Sequence, residues 1–224
     1  MGKLNHALIM AAGRGTRMAP LTHIIPKPMA PLWGSTLIAH GIQKLLPHIP
    51  HLHITVGYKG AELAKHVIEL GVHSVFNTEG KGNSWWIFNT LMKKVDEPVL
   101  VLTSDNVTDL NIELILGEYE RLGQPACMVV PVIPLEGLVG DFIHHIDNLV
   151  SKLDRNDPAP TYCSGIQVLN PAKVNQLIEP VEDFGDLWSQ LIQKRQLFSS
   201  SVLPDKWFTV DTLEQLTQMN NQKA

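Results

Sequence analysis

The sequence predicts an α/β protein, a three-layer α/β/α sandwich with a mixed, mainly parallel sheet. Two observations carry this prediction. In the first half of the chain, short apolar runs alternate with segments of helical spacing, which is the pattern of βαβ units. After about residue 125 the pattern becomes richer in strands, and no linker rich in Pro, Gly or Ser separates the halves. We therefore expect a single domain over residues 1–224.

The elements follow from local spacing and turn residues. Ala7 to Met10 is predicted to be a short buried strand that ends before Gly13 and Gly15. Further strands are predicted at 52–56, 72–76, 98–103, 126–132, 142–146, 164–169 and 198–202. Helices are predicted at 36–46, 61–70, 84–94, 172–178, 184–194 and 213–220. Because ligands of open α/β sheets lie beyond the carboxyl ends of the strands, the residues that follow strands are candidates for function.

Composition excludes several classes of protein. An apolar fraction of 44% with 18% charged residues is typical of a globular protein. A net charge of −4, without a block of Lys or Arg, argues against binding to nucleic acid. No apolar run approaches the roughly 18 residues of a membrane span, and the early apolar stretch is too short for a secretory signal. The two cysteines, Cys127 and Cys163, are too few for a disulfide framework, so we expect a cytoplasmic protein. The charge and the short apolar runs predict neither nucleic-acid nor membrane partners.

A glycine-containing loop after the first strand gives the strongest indication of function. Glycines there allow backbone N–H groups to approach phosphate oxygens, so we expect the loop to bind a nucleotide. It is not a GxxxxGK[ST] loop, and Met18 stands where a dinucleotide motif needs glycine or alanine. The candidate nucleotide-binding residues of this loop are Ala11, Ala12, Gly13, Arg14, Gly15 and Thr16.

Two cations follow the glycine loop on a segment stiffened by proline. Arg17 comes directly after the loop, and Lys27 stands between Pro26 and Pro28. A single Lys or Arg is usually a solvated surface charge. Two cations held on one rigid segment beside a phosphate-binding loop instead indicate preorganised contacts to a triphosphate.

Two aspartates are candidate metal ligands. Asp105 follows the strongly apolar strand at 98–103, and Asp211 follows the strand-like run 207–210. Each has a structural alternative, a turn for Asp105 and a helix N-cap for Asp211. Paired carboxylates suit Mg²⁺, which typically takes one or two protein carboxylates and leaves its other positions to water and phosphate. By contrast, the ten histidines show no zinc-like spacing, and structural roles are expected for His51 and His53.

The segment 79–84 follows the predicted third strand. Gly82 would let a nucleotide base approach the backbone while Asn83 or Ser84 bonds to its edge. The alternative is that Asn83 or Ser84 caps the following helix.

The pattern GxGTRxxPLTxxxPKPM over residues 13–29 resembles the signature of the sugar-phosphate nucleotidyltransferases. Segments 104–106, 162–166 and 207–212 resemble later landmarks of that family in the same order. The resemblance implies a Rossmann-like nucleotidyltransferase fold, in which residues 1–125 bind the nucleotide and 126–224 the acceptor. Because the sequence ends at Ala224, soon after the predicted helix 213–220, we expect no appended acyltransferase domain of hexapeptide repeats.

The resemblance further implies transfer of a nucleoside monophosphate from an NTP to a small phosphorylated acceptor, most simply a sugar 1-phosphate, with release of pyrophosphate. Arg17 would contact the departing phosphates, and Lys27 would contact the α-phosphate region and the acceptor. Asp105 and Asp211 would hold Mg²⁺, with Mn²⁺ as a possible substitute. The implied acceptor-binding residues are Asn106, Gly140, Ser164 and Gly165.

One departure from the family pattern opens an alternative acceptor. Thr209 stands where many members have the metal aspartate, and Asp211 replaces a glycine, which resembles the phosphocholine cytidylyltransferase branch. Three tryptophans, Trp85, Trp86 and Trp188, would then surround a quaternary ammonium. An alternative of another class is a catalytically silent nucleotide sensor.

Overall fold

The computed structural model describes residues 2–135, 138 and 140–222. Its strands are β1 His6–Met10, β2 Pro31–Leu32, β3 Ser35–Thr36, β4 His51–Val56, β5 Ser74–Asn77, β6 Val99–Thr103, β7 Asn106–Asp109, β8 Cys127–Val132, β9 Phe142–Ile146, β10 Leu149–Asp154, β11 Tyr162–Leu169, β12 Leu197–Ser199 and β13 Lys206–Thr209. Its α-helices are α1 Leu21–Ile24, α2 Leu37–Leu45, α3 Gly60–Glu69, α4 Trp85–Asn89, α5 Ile112–Arg121, α6 Pro171–Leu177, α7 Phe184–Gln193 and α8 Leu213–Asn221.

The chain forms two compact units, which we call the first and the second unit. The first unit comprises His6–Lys81, Leu102–Thr108 and Lys206–Ala224, and the second comprises Met1–Asn5, Gly82–Val101 and Asp109–Asp205. The predicted division of substrate binding at residue 125 does not follow these boundaries and stays a prediction. In the described part of the chain, no helix is both long enough and apolar enough to cross a membrane.

The first unit contains the parallel strands β5, β4 and β1, in that order. His6 pairs with His51 at one end of β1, and Met10 pairs with Thr55 at the other. Ser104 then donates its N–H to the Met10 carbonyl oxygen at 2.9 Å, so the chain after β6 reaches the carboxyl end of β1. This edge of the parallel strands is where the sequence predicts a site.

A second core in the same unit joins early and late parts of the sequence. Met18 and Leu32 are fully buried against Val210, with Leu216 and Met219 of α8 in the same cluster. The short strands β7 and β13 pair nearby. Burial of these apolar side chains, worth about 25 cal/mol per Å² of apolar surface, fixes the end of the chain beside the segment that carries Arg17 and Lys27.

The second unit contains a mixed sheet in the order β6, β11, β8, β12, β10, β9. Strand β8 is buried along its whole length and pairs with β12 in parallel and with β11 antiparallel. The register of β11 against β8 shifts between Cys163 and Gln167, where Gly165 adopts a positive φ of 80°. This irregularity lies in the part of β11 that contains the predicted acceptor residues Ser164 and Gly165.

One predicted helix is interrupted. In place of a continuous helix over 84–94, α4 ends at Asn89, and residues 91–94 form a 3-10 turn. The Thr90 hydroxyl donates to the Trp86 carbonyl oxygen at 2.7 Å and accepts from the Met92 N–H at 3.2 Å. A side chain that bonds locally to the backbone competes with the helical pattern, and here it starts a new turn.

Candidate active site

The loop after β1 is attached to β4 at its base and open at its tip. Ala11 donates its N–H to the Thr55 carbonyl oxygen at 3.1 Å, and Tyr58 donates to the Ala12 carbonyl oxygen at 3.1 Å. Gly13 is exposed, and a Cβ built on it would meet no atom within 4 Å. The backbone at the tip is therefore accessible to a ligand, as the sequence predicts.

Gly15 is required for two reasons that the structure makes explicit. Its φ of +62° lies in the left-handed region that favours glycine. A Cβ at this position would also lie only 2.6 Å from the Cβ atom of Lys27. The absence of a side chain at Gly15 thus lets the stem of Lys27 pack directly against the loop.

Lys27 is nearly buried and bonds to both candidate metal aspartates. Its Nζ lies 2.7 Å from Asp105 Oδ2 and 2.7 Å from Asp211 Oδ1. Arg17 Nη2 lies 2.9 Å from the same Asp211 oxygen. The Lys27 side chain is 11% exposed, whereas the Arg17 side chain is 70% exposed. The structure therefore brings together the two cations that follow the glycine loop and the two candidate metal aspartates.

Asp211 is positioned by the start of α8 without serving as its cap. The N-cap is Thr212, whose hydroxyl accepts from the Gln215 N–H at 3.2 Å. The Gln215 side-chain oxygen accepts in return from the N–H groups of Thr212 and Asp211, at 3.0 and 2.7 Å. This capping box fixes the backbone of Asp211 and leaves its carboxylate to the cations. The alternative that Asp211 is a helix cap is therefore wrong.

The two aspartate segments are also joined through their backbones. Val210 donates its N–H to the Asp105 carbonyl oxygen at 3.0 Å. The two carboxylates consequently approach a common point, although they are more than 100 residues apart in the sequence. Gln215 is a residue that motif reasoning missed, but the T-x-x-Q spacing from Thr212 is a recognisable capping-box signal.

The chemistry of the site fits a magnesium ion. No set of three or more His, Cys, Asp or Glu side chains is arranged to bind a metal in residues 2–135, 138 and 140–222. Asp105 and Asp211, however, both contact one ammonium group, so both can reach a common cation. Two carboxylates are a sufficient protein contribution for Mg²⁺, which takes its remaining ligands from water and phosphate.

Asn106 lies next to this cluster in the first unit. Its amide nitrogen donates to the Thr103 hydroxyl at 2.6 Å, and the Trp207 indole N–H donates to its oxygen at 2.6 Å. The other predicted acceptor residues lie in the second unit. A Cβ at Gly140 would be 2.2 Å from the Tyr162 ring, and the Ser164 hydroxyl donates to the Val130 carbonyl oxygen at 3.1 Å. With Gly165 in the β11 irregularity, their role toward an acceptor stays a prediction.

Gly82 and Asn83 contact a loop of the second unit that the sequence analysis did not identify. Gly82 donates its N–H to the Glu182 carboxylate at 2.9 Å, and a Cβ at Gly82 would be 2.1 Å from the Glu182 carbonyl oxygen. Asn83 Oδ1 accepts from the Phe184 N–H at 2.8 Å, at the start of α7. These contacts explain both residues structurally, and their reading of a base stays a prediction. No sequence signal marks Glu182.

A cluster of four histidines occupies the opposite end of the parallel strands. His6 Nδ1 and His53 Nε2 are 3.0 Å apart, and His53 Nδ1 is 2.7 Å from the Ser74 hydroxyl. The rings of His51 and His73 pack against this pair. Burial, with the neighbouring His6, His73 and His51 rings as smaller causes, lowers the pKa of His53 from 6.5 to about 4. His53 is thus a neutral, structural residue, as expected.

Residues 6–137 of this chain match the sequence model of the nucleotidyl transferases. The chain belongs to the nucleotidyl transferase family. This matched region contains the glycine loop, Arg17, Lys27 and Asp105, so the resemblance drawn from the motifs is confirmed.

Relatives of this chain include the mannose-1-phosphate guanyltransferase of Debaryomyces hansenii, which is 25% identical over 208 residues. That match covers 86% of this chain and 57% of the relative. A second, from Pichia angusta, is 26% identical and covers 91% of this chain and 60% of the relative. The chain therefore spans a little over half the length of these curated relatives.

Solved structures support the fold of this chain. A Bacillus anthracis protein assigned as a glucose-1-phosphate thymidylyltransferase gives a TM-score of 0.79 at 16% identity, covering 97% of this chain and 94% of its own. The CTP:phosphocholine cytidylyltransferase of Streptococcus pneumoniae gives 0.76 at 19% identity, covering 98% and 99%. The predicted α/β fold with a mixed, mainly parallel sheet and flanking helices is confirmed.

Proposed function

We propose that the protein transfers a nucleoside monophosphate from an NTP to a small phosphorylated acceptor, most simply a sugar 1-phosphate, and releases pyrophosphate. The observation that carries the proposal is the convergence of Lys27, Arg17, Asp105 and Asp211 beside an open glycine loop. Membership of the nucleotidyl transferase family supports the reaction class. The mannose-1-phosphate guanyltransferases among its relatives support the acceptor class.

In the proposed reaction, an oxygen of the acceptor phosphate attacks the α-phosphorus of the NTP. A new P–O bond forms, the bond to the bridging oxygen breaks, and the β- and γ-phosphates leave as pyrophosphate. The attacking phosphate is already ionised at neutral pH, so no general base is needed. Catalysis of such transfers rests on positioning and on stabilisation of charge.

The four charged residues and the loop divide these tasks in the proposal. The exposed backbone around Gly13 binds the nucleotide phosphates. Lys27 is held rigidly beside the loop and contacts the α-phosphate region. Arg17 is largely exposed and contacts the departing phosphates. Asp105 and Asp211 hold Mg²⁺, which when bound neutralises phosphate charge. Burial raises the pKa of the Cys127 thiol, which argues against a covalent cysteine intermediate.

The tryptophans favour a sugar 1-phosphate over phosphocholine as the acceptor. Trp86 is 1% exposed and belongs to the core, so it does not line a cage. The indole of Trp188 donates to Gln167 Oε1 at 3.0 Å and packs against Phe184.

We also propose a cytoplasmic location, supported by the free thiols of Cys127 and Cys163.

The test is a matrix of four NTPs against sugar 1-phosphates, phosphocholine and other phospho-alcohols, with detection of released pyrophosphate. We expect release with at least one sugar 1-phosphate, loss of activity with a chelator and recovery with Mg²⁺ or Mn²⁺. If only phosphocholine supports turnover, the acceptor is phosphocholine and not a sugar 1-phosphate. Nucleotide binding without pyrophosphate release in any pair would instead identify a silent sensor.

A further inference from the structure

The charged cluster of the first unit is balanced before any ligand arrives. Two carboxylates, Asp105 and Asp211, face two cations, Lys27 and Arg17. Of the two cations, Lys27 is the one that bridges the carboxylates, at 2.7 Å from each, while Arg17 contacts Asp211 alone. The ammonium group therefore takes the position between the aspartates that a shared metal ion would need.

The surroundings of Lys27 restrict where its ammonium can go. The stem of Lys27 packs on Gly15, where an added Cβ would lie only 2.6 Å from the Lys27 Cβ atom. Prolines on both sides stiffen the backbone, and residues 27–29 form a 3-10 turn. Asp211 is equally fixed, since the Gln215 side chain holds its N–H at 2.7 Å. Lys27 and Asp211 therefore cannot easily move apart to admit a second cation beside the ammonium group.

We infer that Lys27 has a role besides contact with substrate: it is the internal counter-ion of the two aspartates, and it makes binding of the divalent cation depend on the nucleotide. This inference rests on the proposed function, which supplies the metal. A dication that entered alone would meet an ammonium and a guanidinium already bonded to its ligands, and like charges at such distances repel strongly. A triphosphate brings the negative charge onto which Lys27 and Arg17 can transfer.

Equilibrium binding of Mn²⁺ to the whole protein, followed by electron paramagnetic resonance, tests this inference without turnover. Each titration is run without nucleotide and with each of the four α,β-methylene NTPs. The variants are Lys27→Met, which removes the charge and keeps the stem, and Lys27→Arg, which keeps the charge. Lys65→Met is the matched control, because Lys65 is an exposed residue of α3.

Without nucleotide, we expect Lys27→Met to bind Mn²⁺ at least tenfold more tightly than the wild type. Lys27→Arg and Lys65→Met should bind as weakly as the wild type. One of the methylene analogues should tighten wild-type binding of Mn²⁺ at least tenfold, and this gain should shrink in Lys27→Met, whose carboxylates no longer face the ammonium group.

Two results separate failure of the inference from failure of the proposed function. Wild type that binds Mn²⁺ equally well with and without every nucleotide analogue, or Lys27→Met that binds no tighter than wild type, overturns the role of Lys27 and leaves the reaction intact. Wild type that binds no Mn²⁺ under any condition removes the metal from the proposed function and with it this inference. Thermal unfolding checks that each variant is folded. If Lys27→Met does not fold, the inference is decided by whether nucleotide analogues tighten Mn²⁺ binding to the wild type.

Discussion

The two ends of the parallel strands in the first unit treat ionisable groups in opposite ways. At the carboxyl ends, the Lys27 Nζ atom lies 2.7 Å from Asp105 Oδ2, so groups of opposite charge face each other. At the amino ends, His53 lies among other imidazoles, and its pKa falls to about 4. Ion pairs at the first end can exchange partners with a charged ligand, whereas burial among imidazoles at the second end lowers the pKa of His53 and disfavours its charged form. Chemistry is thus expected at the first end and stability effects at the second.

The largest expected effect lies at the carboxyl end. Asp105→Asn keeps the shape of the side chain but removes one of the two negative charges offered to the cation. We expect turnover to fall by about 10³ or more, since metal-assisted charge stabilisation is lost. Pyrophosphate release measures this. Asp186→Asn, at an exposed position in α7, is the matched control and should be unchanged.

Lys27→Ala should lower turnover by about 10² to 10³, the effect of removing one preorganised charged group. Single-turnover kinetics on folded protein measure it, with Lys65→Ala as the control. Activity within about twofold of the wild type would remove Lys27 from the catalytic machinery. That result would also erase the contrast between the two ends of the strands.

The amino end should respond to pH through stability. Because the folded-state pKa of His53 is depressed from 6.5 to about 4, the unfolded chain binds the proton first as the pH falls. The stabilising contribution is present above pH 6.5 and is lost between about pH 6.5 and 4, by roughly 3 kcal/mol at most.

Denaturant unfolding at several pH values measures this loss. His53→Gln should flatten the profile over the interval, while His48→Gln, at an exposed position, should leave it unchanged. An identical slope in His53→Gln and wild type would mean that another group controls acid stability.

The smallest effect concerns the second unit, where polar groups bond mainly to backbone. Asn83→Ala removes the acceptor of the Phe184 N–H and should lower the free energy of unfolding by about 1 kcal/mol. If Asn83 also reads the base, the ratio of kcat/KM between competing NTPs should change by an amount equivalent to about 1 to 3 kcal/mol. Equal losses for all NTPs would assign it to the α7 contact alone.

Sequence reasoning recovered most of the fold because apolar spacing and turn residues are local signals. It placed β1, β4, α2 and α3 to within one or two residues. It did not predict α5, although Asn111 caps that helix by accepting from the Leu114 N–H at 3.0 Å. The break in the predicted helix 84–94 depends on the hydroxyl of Thr90, whose rotamer no periodicity reveals.

The site was predictable in membership but not in arrangement. The motif grouped Arg17 with Lys27, and strand ends indicated Asp105 and Asp211. That Lys27 bridges both aspartates depends on the packing of its stem against Gly15, which is a tertiary contact. Glu182 was missed for the same kind of reason, since it meets Gly82 only because the chain folds back over 100 residues later.

The late position of Asp211 has a consequence for synthesis of the protein. Its segment is held in place by Val210, Leu216 and Met219, which pack against Met18 and Leu32 from the start of the chain. A ribosome therefore completes the glycine loop, Lys27 and Asp105 long before it delivers the second carboxylate. A chain that terminates or is cleaved before residue 211 would keep the glycine loop yet lack the second carboxylate, so we expect incomplete copies to be inactive in the proposed reaction.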